Sequence, residues 1–409
     1  MSAQTTTGAA GPEAVPPTLT YFQLFMRFLK FGFLAWGGPV AQVAMLRREL
    51  VNEERWISSE RFNRLLAVMQ VLPGPEAHEL CVYMGYRARG RIGGLLAGLG
   101  FMAPGFVLMF VVAWVYVTHG VQLQALAPAF AAVQAVVAAL VVRAVIRIGG
   151  HVATNAWLWT IATLAMAAQL AGVHFGIVLA GAGAMYLLAV PGRAPVAWSI
   201  AVLAVIGIAW TIVSNRGLAG LAALTPILVD AVPAQLQAVS PLALLWSGLK
   251  AGLLTFGGAY TVIPFLQRDA VVDGGWMSNG QFLDGVALTG LLPAPLVILA
   301  TFVGYLGGGP WGAVAMTAGV FLPAFAFTLL GHDALERLLH RPGVHRLLEG
   351  VSAGVVGLIA GTAVALFKAS VGNLEALLLF ALALAALFAW KGRMAIPALI
   401  LGAALWGWL

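Results

Sequence analysis

Long apolar runs, separated by short polar or basic stretches, dominate the chain. A helix needs about 20 apolar residues to cross a bilayer, and a series of segments reaches or approaches that length. The first series covers 22–46, 61–87, 91–118, 128–148, 155–171, 174–190 and 196–213, and the second covers 242–267, 281–306, 311–331, 346–368, 374–390 and 394–409. The pattern predicts an all-α polytopic membrane protein.

Composition supports a membrane protein and argues against several other classes of protein. Hydrophobic residues make up 61% of the chain and charged residues 9%, whereas soluble domains carry roughly 45–50% and about 25%. The single cysteine, Cys81, excludes an internal disulfide and a cysteine-based metal site. Basic residues are scattered between apolar runs, which argues against a nucleic-acid partner. With no P-loop, the sequence gives no sign of ATP as energy source, and we predict no cofactor and no metal.

Glycine and proline interrupt several of the apolar segments. The interruptions are Gly37-Gly38-Pro39, Pro73-Gly74-Pro75 and Ala103-Pro104-Gly105. A broken helix at membrane depth is tolerated only where it lines a cavity or is buried in protein. A helix that restarts after such a break presents free N–H groups and the positive end of its dipole, which suit an oxyanion. Each break could also be a packing kink.

The second series repeats the first at an offset of 220 residues. Lys30 corresponds to Lys250 and Glu49 to Asp269, and the breaks recur as Gly257-Gly258 and as Pro293-Ala294-Pro295. We therefore divide the chain into a disordered tail (1–18), a first repeat (19–190), a linker span and loop (191–240) and a second repeat (241–409). One unpaired span between two sets of about six predicts inverted repeats, with a site near the bilayer midplane.

Orientation follows from the loops. Placing the N-terminus in the cytoplasm leaves more Arg and Lys in the inner loops than in the outer ones, as the positive-inside rule requires.

Two lysines and one glutamate are the ionisable candidates. Lys30 and Lys250 each lie seven residues before a Gly-Gly pair, and an ammonium at such depth marks a functional site by default. Both are interpreted as anion counter-charges, with snorkelling to the interface as the alternative. Glu76 directly follows Pro73-Gly74-Pro75, whereas its counterpart is Leu296. We interpret Glu76 as a proton-coupling residue; a structural hydrogen-bonding role is the alternative.

The motifs of both halves resemble a known family. FLKFGFLAWGGPVAQ and QVLPGPEAHELCVYMGY in the first half, with GLKAGLLTFGGAY and GLLPAPLVILATFVGY in the second, are similar to the long-chain chromate transporters of the chromate ion transporter family. Ala259 and Ala294 depart from the pattern of the first half.

The resemblance implies a secondary carrier in the bacterial inner membrane that exports chromate and confers chromate resistance. It also implies sulfate as a competing anion. A homodimer is compatible with the sequence, which does not determine the oligomeric state. Two rival interpretations stay open. One is a carrier of another oxyanion; the other is an intramembrane enzyme acting on lipid-linked phosphate, for which Glu76, His78 and Glu79 form the only dense cluster of side chains.

Overall fold

The fold comes from a computed structural model, and every regular element among the residues it describes is helical. The described residues are 16–69, 73–119, 127–190, 192–222, 238–255, 259–331, 341–390, 392 and 394–409. Residues 1–15 of the predicted tail and 223–237 of the predicted linker lie outside this set.

Eight α-helices and a π-helical turn (Arg48–Glu53) form the described part of the chain up to Ala222. The helices are α1 (Tyr21–Phe33), α2 (Gly38–Arg47), α3 (Ser59–Met69), α4 (Glu76–Thr118), α5 (Ala127–Val152), α6 (Ala156–Leu170), α7 (Phe175–Leu188) and α8 (Ala194–Ala222).

The same order of elements follows Ser240, within the described residues. The helices are α9 (Pro241–Leu253), α10 (Val262–Gln267), α11 (Asn279–Gly290), α12 (Leu299–Leu330), α13 (Pro342–Ser370), α14 (Leu374–Ala389) and α15 (Ala395–Trp408). Short 3₁₀ turns at Ala259–Thr261 and Leu296–Ile298 precede α10 and α12, and a π-helical turn (Arg268–Asp273) follows α10. The helices α1 and α9, and the two π-helical turns, have identical lengths and lie 220 residues apart.

Capping side chains at equivalent positions start several of these helices. Asn155 and Asn373 accept the N–H of the third residue of α6 and of α14. Each cap satisfies an N–H group that the first helical turn leaves without an intrahelical partner. The local sequence therefore sets the same helix starts in both halves.

A sharp turn divides α4 and α12 at equivalent positions. Gly90 has φ 64° and ψ −158°, and Gly309 has φ 62° and ψ −152°. The chain folds back there: a Cβ on Gly85 would lie 2.4 Å from the carbonyl oxygen of Gly93, and a Cβ on Gly304 would lie 2.4 Å from that of Gly312. Both long helices are therefore tight hairpins, and only glycine fits where their limbs cross.

The break that the sequence predicts at Ala103-Pro104-Gly105 is wrong. α4 continues through Pro104 to Thr118. Proline removes one backbone hydrogen bond but is tolerated in membrane helices that neighbours enclose. Here α1 encloses it, because a Cβ on Gly32 would lie 2.9 Å from Cγ of Pro104. The change of direction lies at Gly90 instead.

Only some helices are long enough to cross a bilayer. Five helices among the described residues have the length and hydropathy of a span, while α6, α7, α14 and α15 are shorter apolar helices. At 1.5 Å per residue, the 13 residues of α1 cover about 20 Å of a hydrocarbon core roughly 30 Å thick. The predicted span 22–46 is therefore two short helices that meet inside the protein.

The two hairpins pack against each other in the middle of the molecule. Gly94 lies against Leu329 and Gly98 against Phe325, so the long limbs of α4 and α12 run antiparallel. Helices α6 and α7 pack on α13, and α14 and α15 pack on α5. The breaks of both halves therefore meet at the centre.

Candidate functional site

The first break is a left-handed turn that ends against a cavity. Gly37 and Gly38 have φ angles of 89° and 80°, a region that other residues rarely adopt. Helix α2 begins at Gly38 with Pro39 in its first turn, where the missing N–H of proline costs nothing. Gly37 and Gly38 line the cavity. The N-terminal end of α2, with its unpaired N–H groups, therefore faces an internal space.

The cavity lies between the two halves. It measures about 30 Å³, room for two or three water molecules. Most of its wall is apolar, and the Tyr260 and Thr289 hydroxyl groups are the polar side chains that line it. A Cβ on Gly38 would lie 3.0 Å from the Tyr260 oxygen, so glycine here allows close approach by Tyr260.

Hydrogen bonds cross from each break to a break of the other half. Gln42 Nε2 donates to the Ala35 carbonyl at 3.0 Å and to the Ala294 carbonyl at 2.9 Å. The Gly74 N–H donates to the Thr255 carbonyl at 2.8 Å. Ala35 and Thr255 are equivalent, and so are Gly74 and Ala294. The two crossings thus join equivalent pairs of positions, although Gln42 mediates only one of them.

The structure describes most of the other predicted break residues, but not all of them. Pro75, Pro293 and Pro295 are buried where α4 and the 3₁₀ turn before α12 begin, and Pro73 is half-buried. The Gly74 N–H is already bonded, so it is not a free donor for an anion. Gly257 and Gly258 lie outside the described residues.

The two predicted lysines have different surroundings. The Lys250 ammonium forms an ion pair with Asp269 at 2.8 Å, and Ser247 Oγ donates to the same carboxylate at 2.5 Å. In the first half the equivalent acid, Glu49, pairs with Arg48 at 2.9 Å and with Arg27 at 3.7 Å.

Arg27, which also pairs with Glu54, occupies the position equivalent to Ser247. Lys30 is exposed, and its acid is bonded to arginines instead. The charge of Lys250 is therefore largely compensated by Asp269, whereas Glu49 leaves Lys30 available.

The acidic residues at the start of α4 differ in burial. Glu76 is half-buried, whereas His78 and Glu79 are fully buried. Within the described part of the chain, neither Glu79 oxygen has a hydrogen-bond partner. The His78 ring packs against Phe321 and Phe325 with centroid distances of 4.8 and 4.7 Å, and the Gly98 carbonyl is the polar group beside it.

Two arginines near the cavity were missed as site candidates. Leu140 and Val141 of α5 line the cavity, and the charges of Arg143 and Arg147, on the following turns of that helix, act on Tyr260. The sequence analysis named neither residue as a site candidate. Their spacing of four residues places them on one helix face, and this spacing could have identified them from the sequence.

An internal site between broken helices of a polytopic membrane protein is typical of transporters. The sequence family agrees: residues 22–208 and 242–408 match the family described as chromate transporter. The chain belongs to the chromate transporter family. This family consists of transporters, so the interpretation as an intramembrane enzyme is set aside.

Individual relatives extend the match to nearly full length. The chain is 56% identical to the chromate transport protein of Pseudomonas aeruginosa, over 98% of this chain and 95% of the relative. It is 30% identical to the chromate transport protein of Cupriavidus metallidurans, over 98% and 96%. An uncharacterised transporter of Methanocaldococcus jannaschii shares 26% identity, over 87% of each chain. No solved structure matches the chain.

Proposed function

We propose that the protein exports chromate from the bacterial cytoplasm across the inner membrane as a secondary carrier and so confers chromate resistance. The observation that carries this proposal is the cavity between the halves, with the N-terminal end of α2 at its wall. Family membership and the names of the two bacterial relatives supply the substrate. This proposal includes a cytoplasmic N-terminus, in keeping with the larger number of Arg and Lys residues in the inner loops.

The two halves act as inverted repeats in this proposal. Equivalent long limbs of α4 and α12 run antiparallel, as the contacts of Gly94 with Leu329 and of Gly98 with Phe325 indicate. An axis in the membrane plane relates such halves, and alternate tilting of one against the other exposes a central site to each side in turn.

Free N–H groups, hydroxyl groups and positive charges together hold the anion. The start of α2 offers the N–H groups of Gly37 and Gly38 as backbone donors, Pro39 shapes its first turn, and Tyr260 offers its hydroxyl. Arg143 and Arg147 supply positive potential near the cavity. Lys30 attracts the dianion, while Lys250 holds the second repeat together through Asp269 and contributes less charge.

The Pro-x-Pro breaks shape the site without donating to the anion. Pro73, Gly74 and Pro75 interrupt the helical structure before α4, and Pro293 and Pro295 do so before α12. These interruptions set the positions at which both helices start. Gly257 and Gly258, which lie outside the described residues, are proposed as anion-binding residues from their correspondence to Gly37 and Gly38 in the sequence. Glu76, half-buried at the start of α4, couples transport to protons.

Membrane voltage favours this direction of transport. A charge that moves across the membrane gains about 2.3 kcal/mol per 100 mV, so a dianion that leaves a negative cytoplasm gains roughly twice that amount. A proton gradient can add to or oppose this term. Sulfate, a tetrahedral dianion as well, is expected to compete for the same donors.

Uptake of radiolabelled chromate into inverted membrane vesicles tests the proposal, because inversion turns export into accumulation. Wild-type vesicles should accumulate chromate, and excess sulfate should reduce the uptake. Lys30→Ala should lower uptake more than Lys250→Ala, when each is compared at equal amounts of inserted protein. Absence of chromate uptake with undiminished sulfate uptake would establish a different oxyanion as the substrate.

A further inference from the structure

Glu79 is an acidic side chain sealed inside the protein. It lies one turn into α4, is 0% exposed, and has no hydrogen-bond partner for either oxygen among the described residues. Leu299 occupies the equivalent position in the second half. A carboxyl group is therefore not needed to build this part of the repeat, and its presence in one half calls for a different reason.

The surroundings of Glu79 belong to both halves. A Cβ on Gly74 would lie 2.5 Å from Glu79 Oε1 and 3.3 Å from Cβ of Ala324 in α12. The carboxyl group thus lies directly beneath the Pro73-Gly74-Pro75 break and close to the second repeat. Phe321 and Phe325 of α12 cover the neighbouring His78. The movement of one half against the other that the proposed function requires would change access of water at this contact between α4 and α12.

An ionised carboxylate is costly in such a place, since no positive charge or hydrogen-bond donor among the described residues compensates it. The closed arrangement therefore favours the neutral acid. When the two halves separate on one side, water can reach the group and accept its proton. Ionisable side chains in the interior of transporters commonly serve as proton relays for this reason.

Charged groups on the neighbouring helices do not relieve this cost. Glu76, one turn away, is the charged group that acts on Glu79, and its sign opposes ionisation. Arg27 is bonded to Glu54 and Arg47 to Ser59. His78 precedes Glu79 in α4, and neither of its ring nitrogens has a hydrogen-bond partner among the described residues. The other titratable side chains described on the helices packed against α4 are Tyr21 and Lys30 on α1, Glu60 and Arg61 on α3, Asp284 on α11 and Tyr305 on α12.

We propose that Glu79 carries a proton together with the transported anion, and that Glu76 passes this proton between Glu79 and water. A bound dianion repels an ionised Glu79 as Glu76 does, so the loaded protein closes only with the proton on Glu79. The empty protein lacks this repulsion and returns with Glu79 ionised, so proton and anion move in the same direction. No bond other than O–H changes: Glu79 gives its proton to water on one side and regains one on the other. This inference rests on the proposed chromate transport.

Purified protein in liposomes tests the proposal, with a trapped pH-sensitive dye and with the membrane potential clamped by potassium and valinomycin. A chromate gradient should drive protons in the direction of chromate movement in the wild type. Glu79→Gln should lower the ratio of protons to chromate at least tenfold while exchange of labelled for unlabelled chromate remains measurable. Glu375→Gln is the matched control, because this carboxylate is exposed, accepts a hydrogen bond from Trp406 away from the contact between the halves, and should keep the wild-type ratio.

A wild-type ratio in Glu79→Gln overturns the proposal, and so do protons that move against chromate. If the variant does not insert, wild-type protein treated with dicyclohexylcarbodiimide during chromate transport decides the question. This apolar reagent takes up the proton and the carboxyl oxygen of a neutral acid and rearranges to an acylurea, which mass spectrometry locates. Modification at Glu79 that abolishes proton movement supports the proposal, and an unmodified Glu79 overturns it.

The test separates this proposal from the proposed function. Wild-type liposomes that exchange no chromate contradict chromate transport itself. Wild-type liposomes that exchange chromate without any proton signal contradict the proton-coupling roles of Glu79 and Glu76 and leave chromate transport itself standing.

Discussion

Gly38→Ala perturbs the centre of the site by a single methyl group. The residue has a φ of 80°, and the added Cβ would lie 3.0 Å from the Tyr260 oxygen, closer than ordinary contact. A non-glycine residue in this left-handed region costs about 1–2 kcal/mol. In a cavity of about 30 Å³ the methyl also removes much of the available space.

Gly172→Ala supplies a matched control for the backbone cost. Its φ is 79°, and a Cβ there would meet nothing within 4 Å. Both variants should therefore lose about the same 1–2 kcal/mol of stability, measured as thermal unfolding in detergent. Only Gly38→Ala should lose transport, by roughly tenfold or more, since each 1.4 kcal/mol added to the barrier slows transport about tenfold.

A double-mutant cycle with Tyr260→Phe shows whether the lost transport comes from the contact with this hydroxyl. Tyr260→Phe alone should weaken uptake, and the combined variant should lose less than the sum of the two single effects, because the closest atom is gone. Equal loss of transport in Gly38→Ala and Gly172→Ala would refute the reasoning, as would undiminished transport by Gly38→Ala.

Further predictions concern the ties that hold the centre together. Lys250→Met leaves Asp269 without its cation and should cost about 2 kcal/mol, whereas Lys30→Met should keep the wild-type unfolding temperature; equal destabilisation would contradict the assignment of different roles. Gln42→Met leaves the buried carbonyl groups of Ala35 and Ala294 without this donor, which should lower the unfolding free energy by about 1–3 kcal/mol. An unchanged unfolding temperature would show that water replaces the amide.

The sequence correctly predicted those helix interruptions that depend only on nearby residues. Glycine pairs and the Pro-x-Pro motifs interrupt helices because of their own backbone properties, so the breaks before α2 and α4 could be placed from sequence. Pro104 was misplaced as a break because its tolerance depends on Gly32 in another helix. The turn at Gly90 was predicted only as the gap between two apolar segments.

The site depends more on tertiary contacts. Lys30 and Lys250 look equivalent along the chain, but Arg27 in place of Ser247 gives the first acid a different partner. Glu76 and Glu79 both follow the first Pro-x-Pro, and only packing against the second repeat shows which of them is fully buried. Arg143 and Arg147 approach the cavity only because α5 passes beside Tyr260.

The hydrogen bonds that cross between the halves also bear on the speed of the transport cycle. A neutral hydrogen bond contributes about 0.5–1.5 kcal/mol net, so releasing the bond of Gln42 to Ala294 and that of Gly74 to Thr255 together adds about 1–3 kcal/mol to the barrier. That corresponds to a slowing of roughly 5-fold to 150-fold, less than a buried ion pair at the same place would impose. Neutral hydrogen bonds at the centre therefore hold the two halves together while opposing their separation less than an ion pair there would.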